Sequence, residues 1–295
     1  MYIVLAAIYG CLLSLMNTFN PQLSLYYGDW ASSVMIHAIG LAALLPLAFT
    51  WGKPTGSARW YQYLGGLIGI LTVVFINIGV NGLGVTSNLT LMLLGQVVSS
   101  SVVDHFGILG MKKVPINRGK VLAIAVMTIA CVVMVVFSGE SLQHISWAAV
   151  IASFASGMTM VGSRLANAGL AQRRGAGFST IMNYVTGLAG SLVIFALMGF
   201  PVATPDPGAV TGVWRILMYT GGILGAAGIF LSNVIAPRMP ALQMTLLVFV
   251  GQVFSGMVLD ALLGKFSLGT LVGGLIIVAG MLINMRADRQ RIREA

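Results

Sequence analysis

Long runs of apolar residues alternate with short polar connections along almost the whole chain. An α-helix needs about 20 apolar residues to cross the hydrocarbon core of a bilayer, and ten runs have about that length. The runs extend over residues 2–19, 31–50, 60–80, 85–104, 118–137, 146–168, 177–199, 215–235, 241–260 and 268–285. Turn-forming pairs such as Asn20-Pro21 and Lys53-Pro54 stand near their ends. The pattern predicts an all-α membrane protein with ten transmembrane helices.

The order of residues in the first half of the chain returns in the second half. An offset of 156 maps Gly65, Asn77, Gly95, Gln96 and Asp104 onto Gly221, Asn233, Gly251, Gln252 and Asp260. For the first two helices the offset is 147, which maps Gly10, Asn20, Gly28 and Gly40 onto Gly157, Asn167, Gly175 and Gly187. Self-similarity at a fixed offset indicates an internal repeat. We predict one repeat over residues 1–140 and another over 141–295.

Because each repeat has five helices, the second enters the membrane inverted relative to the first. The distribution of charge agrees with an even number of spans. One side of the predicted membrane collects the basic residues Lys53, Arg59, Lys112, Lys113, Arg118, Lys120, Arg173, Arg174, Arg238, Arg286, Arg289, Arg291 and Arg293. The other side receives only Arg215 and Lys265. Basic loops mark the cytoplasmic side, so both termini are expected in the cytoplasm.

Composition supports lipid as the solvent. Apolar residues make up 58% of the chain and charged residues 8%, against roughly 25% charged in soluble domains. The net charge of +9 does not indicate nucleic-acid binding, because the basic residues form short clusters between apolar runs. We expect a multi-pass protein of the cytoplasmic membrane.

Amides inside the predicted spans recur in both halves. Gln96 and Gln252 lie within the fourth and ninth spans, and Asn20 and Asn167 occupy equivalent places after the first and within the sixth. Asn77 and Asn233 form a third pair, toward the ends of the third and eighth spans. Buried amides usually bond between helices, so the residues could line one cavity or only hold helices together. Both interpretations remain open for each of them.

Ionisable residues within apolar spans are more informative because their burial in hydrocarbon is costly. Arg164 lies three residues before Asn167, and Asn17 is its counterpart. Its guanidinium could face a cavity or extend to the cytoplasmic interface. His37, whose counterpart is Tyr184, could relay protons or pack as a neutral ring.

Two carboxylates, Asp104 and Asp260, stand at the ends of the fourth and ninth spans. The predicted topology puts them at opposite membrane faces, on the order of 20–30 Å apart. That separation argues against the paired aspartates of an intramembrane protease. Each could act as a gate, by pairing with arginine or by accepting N–H bonds from a neighbouring helix, or as an interfacial anchor.

The motifs of the first half resemble a known family. The segment 82–110 contains Gly84-Val85-Thr86, Gly95-Gln96 and Asp104, and is similar to the YdcZ-type group of the drug/metabolite transporter superfamily. The group's Asn three residues before a Leu is matched by Asn20 and Leu23 and by Asn167 and Leu170. The second half departs from the pattern, with Pro240-Ala241-Leu242 in place of Gly-Val-Thr. The resemblance implies a ten-helix transporter but no substrate, because the superfamily carries drugs, amino acids, sugars and phosphorylated metabolites.

These observations predict a secondary transporter that moves a small polar metabolite by alternating access between inverted repeats. We place substrate binding at Asn17, Asn20, Gln96, Arg164, Asn167 and Gln252, with Asn77, Asn233, His37 and Tyr184 in support. The cationic Arg164 favours an anionic substrate. A scaffold or assembly subunit is the alternative, and it would have buried polar groups that all pair with one another.

The sequence carries no motif for a catalytic, cofactor or metal site, so an enzyme is not expected. Coupling would come from a proton or sodium gradient or from exchange. The fifth and tenth spans have almost no polar residues, so they would face lipid or a second copy in a homodimer. Nucleic acid is not expected as a partner.

Overall fold

The structure is a computed structural model that describes residues 1–48, 56–83, 85–108, 113–136, 146–203, 208, 210–262, 271–276, 278–280, 282–283 and 286. Among these residues helices dominate and no strand occurs. The helices are α1 (Tyr2–Tyr27), α2 (Asp29–Ala48), α3 (Gly65–Leu83), α4 (Val85–Phe106), α5 (Arg118–Val136), α6 (Trp147–Arg174), α7 (Ala176–Leu197), α8 (Trp214–Leu217), α9 (Gly221–Ile235) and α10 (Ala241–Leu262). Short 3-10 segments, Trp60–Leu64 and Ala236–Arg238, precede α3 and follow α9. The all-helical class expected from the sequence is confirmed for this part of the chain.

Within the part of the chain that the structure describes, six helices are long and apolar enough to cross a membrane. Their spans are Tyr2–Tyr27, Asp29–Leu47, Asn88–Phe106, Trp147–Arg174, Ala176–Leu197 and Ala241–Leu259. The third, fifth and eighth predicted spans correspond to helices α3, α5 and α9, and residues 271–276 and 278–280 of the tenth are helical. The total of ten membrane crossings remains a prediction.

Two helices run further than the apolar pattern indicates. Helix α1 continues through Asn20-Pro21, where the sequence predicts a break, and ends at Tyr27. A proline inside a helix removes one hydrogen bond but does not by itself end the helix when tertiary packing holds both sides. Helix α6 extends to Arg174 and carries two arginines in its last turn. Positive side chains there interact favourably with the negative end of the helix dipole.

The turn after the first helix of each half is the same. Gly28 separates α1 from α2 with φ of 83°, and Gly175 separates α6 from α7 with φ of 90°. The N–H of Gly28 bonds to the carbonyl of Ser24 at 2.8 Å, and that of Gly175 bonds to Ala171 at 2.9 Å. A side chain would strain this left-handed backbone, so glycine recurs at the offset of 147.

The described chain divides into two compact units. The first unit comprises Met1–Gly10, Leu71–Val161 and Arg238–Ala295. Its core is the contact of α4, α5 and α10, made by Leu93, Val97, Met127, Ala130, Leu242, Leu246, Phe249 and Val253. These buried apolar side chains supply the packing that positions the polar residues of the same helices.

The second unit comprises Cys11–Ile70 and Gly162–Pro237. Here α2 packs against α7 and α9, and α7 packs against α9. Leu44, Tyr184 and Ala226 form one buried cluster of this unit. The bounds of the two units are not those of the predicted repeats, 1–140 and 141–295. The repeats remain a prediction.

Close helix crossings recur between the halves. In the first unit, a Cβ on Gly10 of α1 would collide with the backbone of Val248 and Gly251 in α10. A Cβ on Gly157 of α6 would likewise collide with Met92 and approach Gly95 in α4. The offsets of 147 and 156 map the first set of residues onto the second in exchanged halves. Each half therefore contributes one helix to a crossing with the other half.

Candidate functional site

The glutamines of the predicted site lie beside these glycine crossings in the first unit. Gln96 follows Gly95 on α4 and is buried, and Gln252 follows Gly251 on α10 and is half-buried. The backbone nitrogen of Gln96 lies near Gly157, as that of Gln252 lies near Gly10. The backbones of the two glutamines therefore have equivalent neighbours, although the side chain of Gln96 is more deeply buried.

Asp104 makes the most specific polar contact of the first unit. Its side chain is fully buried, and its two carboxylate oxygens accept the N–H groups of Ala241 at 2.7 Å and Leu242 at 3.0 Å. These residues form the first turn of α10, where backbone donors lack helical partners and the helix dipole favours a negative charge. The main-chain oxygen of Asp104 also accepts the N–H of Val114 at 2.7 Å. Asp104 therefore ties the end of α4 to the start of α10.

In the second unit, Asn167 belongs to a buried network between α6 and α7. Its Nδ2 donates to Oδ1 of Asn183 at 2.8 Å. Its main-chain oxygen accepts the hydroxyl of Ser179 at 2.7 Å. The Asn167 side chain lies against Gly65 at the start of α3, where a Cβ would collide with it.

Asn20 has the equivalent position on α1 but a different environment. Its Oδ1 lies against Gly221 at the start of α9, is buried, and accepts no hydrogen bond. Asn17 lies one turn earlier on the same helix and is half-buried. Arg164, the counterpart of Asn17, is 7% exposed on α6. The structure thus places Asn17, Asn20, Arg164 and Asn167 in the second unit, and Gln96 and Gln252 in the first.

The supporting residues His37 and Tyr184 also occupy exchanged, equivalent positions. The His37 ring lies against Gly187 and the Tyr184 ring against Gly40, with 5.8 Å between the ring centroids. Nδ1 of His37 donates to the main-chain oxygen of Ser33 at 2.8 Å, and the Tyr184 hydroxyl donates to that of Gly222 at 3.1 Å. These contacts fix both rings within the packing of α2, α7 and α9.

Asn233 of α9 donates through Nδ2 to the hydroxyl of Thr180 at 3.0 Å. It is 2% exposed, and its Oδ1 accepts no hydrogen bond. The side chains of Asn77 and Asp260 lie outside the described part of the chain, although α3 and α10 include their backbones. Among the described residues, no three His, Cys, Asp or Glu side chains are grouped closely enough to hold a metal ion.

Asn88 is a buried polar residue that was not predicted from the sequence. This residue is fully buried near the start of α4, and neither its Nδ2 nor its Oδ1 has a hydrogen-bond partner. Its Oδ1 and the Ser153 hydroxyl of α6 both lie against Gly79 of α3. Asn88 has no polar counterpart in the repeat, since the offset of 156 leads to Met244, so the recurrence of amides in both halves does not identify it. The signal that could have found it is an asparagine within a predicted membrane span, where a carboxamide needs partners.

One comparison with known proteins shows the class of protein. A family model described as "Putative inner membrane exporter, YdcZ" matches residues 1–133 and 148–283. No curated protein matches the chain. Among solved structures 26 chains match. One, named "Crystal structure of protein", has a TM-score of 0.69 at 14% identity and covers 98% of this chain and 96% of its own. At that identity the likeness shows a common fold and carries no information on activity.

Proposed function

Since the chain belongs to the YdcZ family of inner membrane exporters, we propose that it is a secondary transporter that exports a small polar metabolite. Export is the direction that the family's description gives, and six membrane-length helices fit a protein embedded in the inner membrane. In this proposal the cargo crosses the membrane without chemical conversion. Coupling comes from a proton or sodium gradient or from exchange.

We propose alternating access between two inverted five-helix repeats, with ten crossings and both termini in the cytoplasm. The reciprocal contacts support this, because Gly10 meets α10 just as Gly157 meets α4. The His37 and Tyr184 contacts with glycines of the other half repeat the relation. The cytoplasmic placement of the termini rests on the distribution of Lys and Arg.

The proposed cargo path draws on five polar residues inside apolar helices, namely Asn17, Asn20, Gln96, Arg164 and Gln252. Asn167 lies on the helix that carries Arg164, about one turn further along. Side-chain amides suit neutral hydrogen-bonding groups of a metabolite. The buried guanidinium of Arg164 adds a fixed positive charge, which favours a carboxylate or phosphate on the cargo.

We propose that Asp104 acts as a gate at one mouth of the path and that Asp260 is its counterpart at the other. The two N–H bonds that Asp104 accepts hold α10 against the end of α4, so opening that end would require them to break.

Helix α5 presents apolar side chains outward, such as Val121, Leu122, Ile129 and Val132, which fits lipid or a second copy of the chain.

One observation favours transport over a scaffold role. A scaffold would pair its buried polar groups with one another, yet Oδ1 of Asn20, Oδ1 of Asn233 and both polar atoms of Asn88 have no partner. Such groups cost free energy when buried, and a ligand or ion that bonds to them offsets that cost. The hydroxyls of Ser99 and Ser255, equivalent at the offset of 156, are also buried without a partner.

The test uses proteoliposomes loaded with a defined mixture of carboxylates, sugar phosphates, amino acids, amines and sugars. Efflux is followed by mass spectrometry, with and without pH and sodium gradients. The proposal expects at least one class of compound to leave faster than from protein-free vesicles, with carboxylates or phosphates first. Equal retention of every class by both kinds of vesicle would contradict it.

A further inference from the structure

The repeat offers an internal comparison at Asn20 and Asn167. The two residues correspond at the offset of 147, and the glycines they touch, Gly221 and Gly65, correspond at the offset of 156. A Cβ on either glycine would collide with Oδ1 of the asparagine. Both carboxamides are therefore covered in the same way by the first turn of a neighbouring helix. Any difference in their hydrogen bonds comes from other residues.

Asn167 and Asn20 differ in the hydrogen bonds that they make. Asn167 donates to Asn183, and its main-chain oxygen accepts the Ser179 hydroxyl, which joins α6 to α7. The counterpart of Asn183 in the first half is Ile36, which cannot accept a hydrogen bond through its side chain. The counterpart of Ser179 is Ser32, whose hydroxyl bonds instead to the Ser24 hydroxyl at 2.8 Å and to the main-chain oxygen of Asp29 at 2.9 Å.

The side chain of Asn20 also has a buried acceptor, Oδ1, that receives no N–H or O–H. A carboxamide oxygen in this state is less stable than one with a donor, and a ligand that brings a donor recovers the difference. Asn167 differs from Asn20 because its Nδ2 is bonded to Asn183 and joins α6 to α7, and its Oδ1 is not among the buried atoms that lack a partner.

We propose that Asn20, and not Asn167, is the asparagine that binds the cargo, and that the cargo presents a hydroxyl or N–H donor to its Oδ1. This inference rests on the proposed transport function and divides the predicted residues by role. Asn20 sets affinity for the cargo, while Asn167 positions α6 against α7. A cargo with both an acidic group and a hydroxyl or amino donor, such as a hydroxy acid or an amino acid, fits the combination of Arg164 and Asn20.

The experiment compares Asn20→Ala with Asn167→Ala, which remove the same atoms at equivalent positions. For Asn20→Ala we expect KM for the exported class to rise at least about tenfold, the loss of roughly one hydrogen bond to a polar ligand. Its Vmax should stay near that of the parent, and its melting temperature should be nearly unchanged. For Asn167→Ala we expect a lower melting temperature and an unchanged KM. The variant Asn183→Ala should lower the melting temperature as Asn167→Ala does. The double variant Asn167→Ala/Asn183→Ala should melt only slightly below either single variant, because both remove the same hydrogen bond.

The outcomes separate the two proposals. If the parent exports a class and Asn20→Ala exports it with the same KM, the inference is wrong while the transport function stands. The same holds if Asn20→Ala destabilises the protein as much as Asn167→Ala does. A change in sodium dependence without a change in KM for the cargo would assign Oδ1 of Asn20 to an ion and overturn the cargo assignment. If the parent exports nothing, the transport function itself fails, and the inference fails with it.

Discussion

Replacement of Asp104 by asparagine should loosen the start of α10 from the end of α4. The carboxylate accepts two N–H groups, at 2.7 and 3.0 Å, and is fully buried. Hydrogen bonds to charged groups contribute about 1.5–3 kcal/mol each, and a favourable charge at a helix end adds about 0.3–1 kcal/mol. Asparagine keeps one acceptor but turns an NH₂ group toward the second N–H. We therefore expect Asp104→Asn to lose about 2–4 kcal/mol of stability.

For a chain of this size 1 kcal/mol corresponds to about 2–4 °C, so the melting temperature should fall by roughly 5–15 °C. Thermal unfolding of the purified protein in detergent, followed by tryptophan fluorescence, measures the change. The matched control is Ser101→Ala on the same helix, because the Ser101 hydroxyl bonds only to Val97 within α4, at 2.7 Å. The control should melt within about 2 °C of the parent, since that bond is local to one helix. Equal melting of Asp104→Asn and the parent would refute the assignment of Asp104 as a tie between helices.

Three further predictions concern other elements. Asn88→Met installs the residue of the equivalent position and removes two unpaired polar groups, so the melting temperature should rise by a few degrees. A lower melting temperature would show that the amide has partners. Gly157→Ala should prevent folding because its Cβ collides with α4. The control Gly162→Ala on the same helix should fold, since its Cβ meets only Ile68 at 3.8 Å. Comparable yields of both variants by size-exclusion chromatography would contradict the close crossing. A fluorescent protein fused after the last residue should be bright, as expected for a cytoplasmic C-terminus, and a dark fusion that is inserted in the membrane would reverse the orientation.

Much of the local structure follows from the sequence. Apolar runs of span length predict the helices, and the offset of 147 identifies Gly28 and Gly175 as equivalent before any coordinates are known. The resemblance to the YdcZ group, drawn from the Gly-Gln and Asp motifs, is confirmed by the family match. Helix ends were less predictable: α1 passes through Asn20-Pro21, because packing on both sides of a proline can outweigh one lost hydrogen bond.

The site could be predicted only in part, because a repeat shows which residues are equivalent and not which residues touch. Asp104 was expected to meet an arginine or the N–H groups of a neighbouring helix, and the structure has the second contact, with α10 as the helix. Its role as a gate remains a prediction. The bond from Asn167 to Asn183 has no equivalent in the first half, where Ile36 stands in place of Asn183, and no motif marks either residue. Asn88 has an apolar counterpart, so the repeat gave no reason to select it.

The most direct test of the transport proposal compares efflux from vesicles that contain the parent with efflux from vesicles that contain Gln96→Leu, Gln252→Leu or both. Leucine keeps much of the side-chain volume and removes the hydrogen-bonding amide at each glycine crossing. Melting temperatures establish that the variants are folded. The account predicts that the parent exports a polar class of compound, that each single variant exports it more slowly, and that the double variant resembles protein-free vesicles. Export by the folded double variant at the rate of the parent would contradict a cargo path lined by these residues.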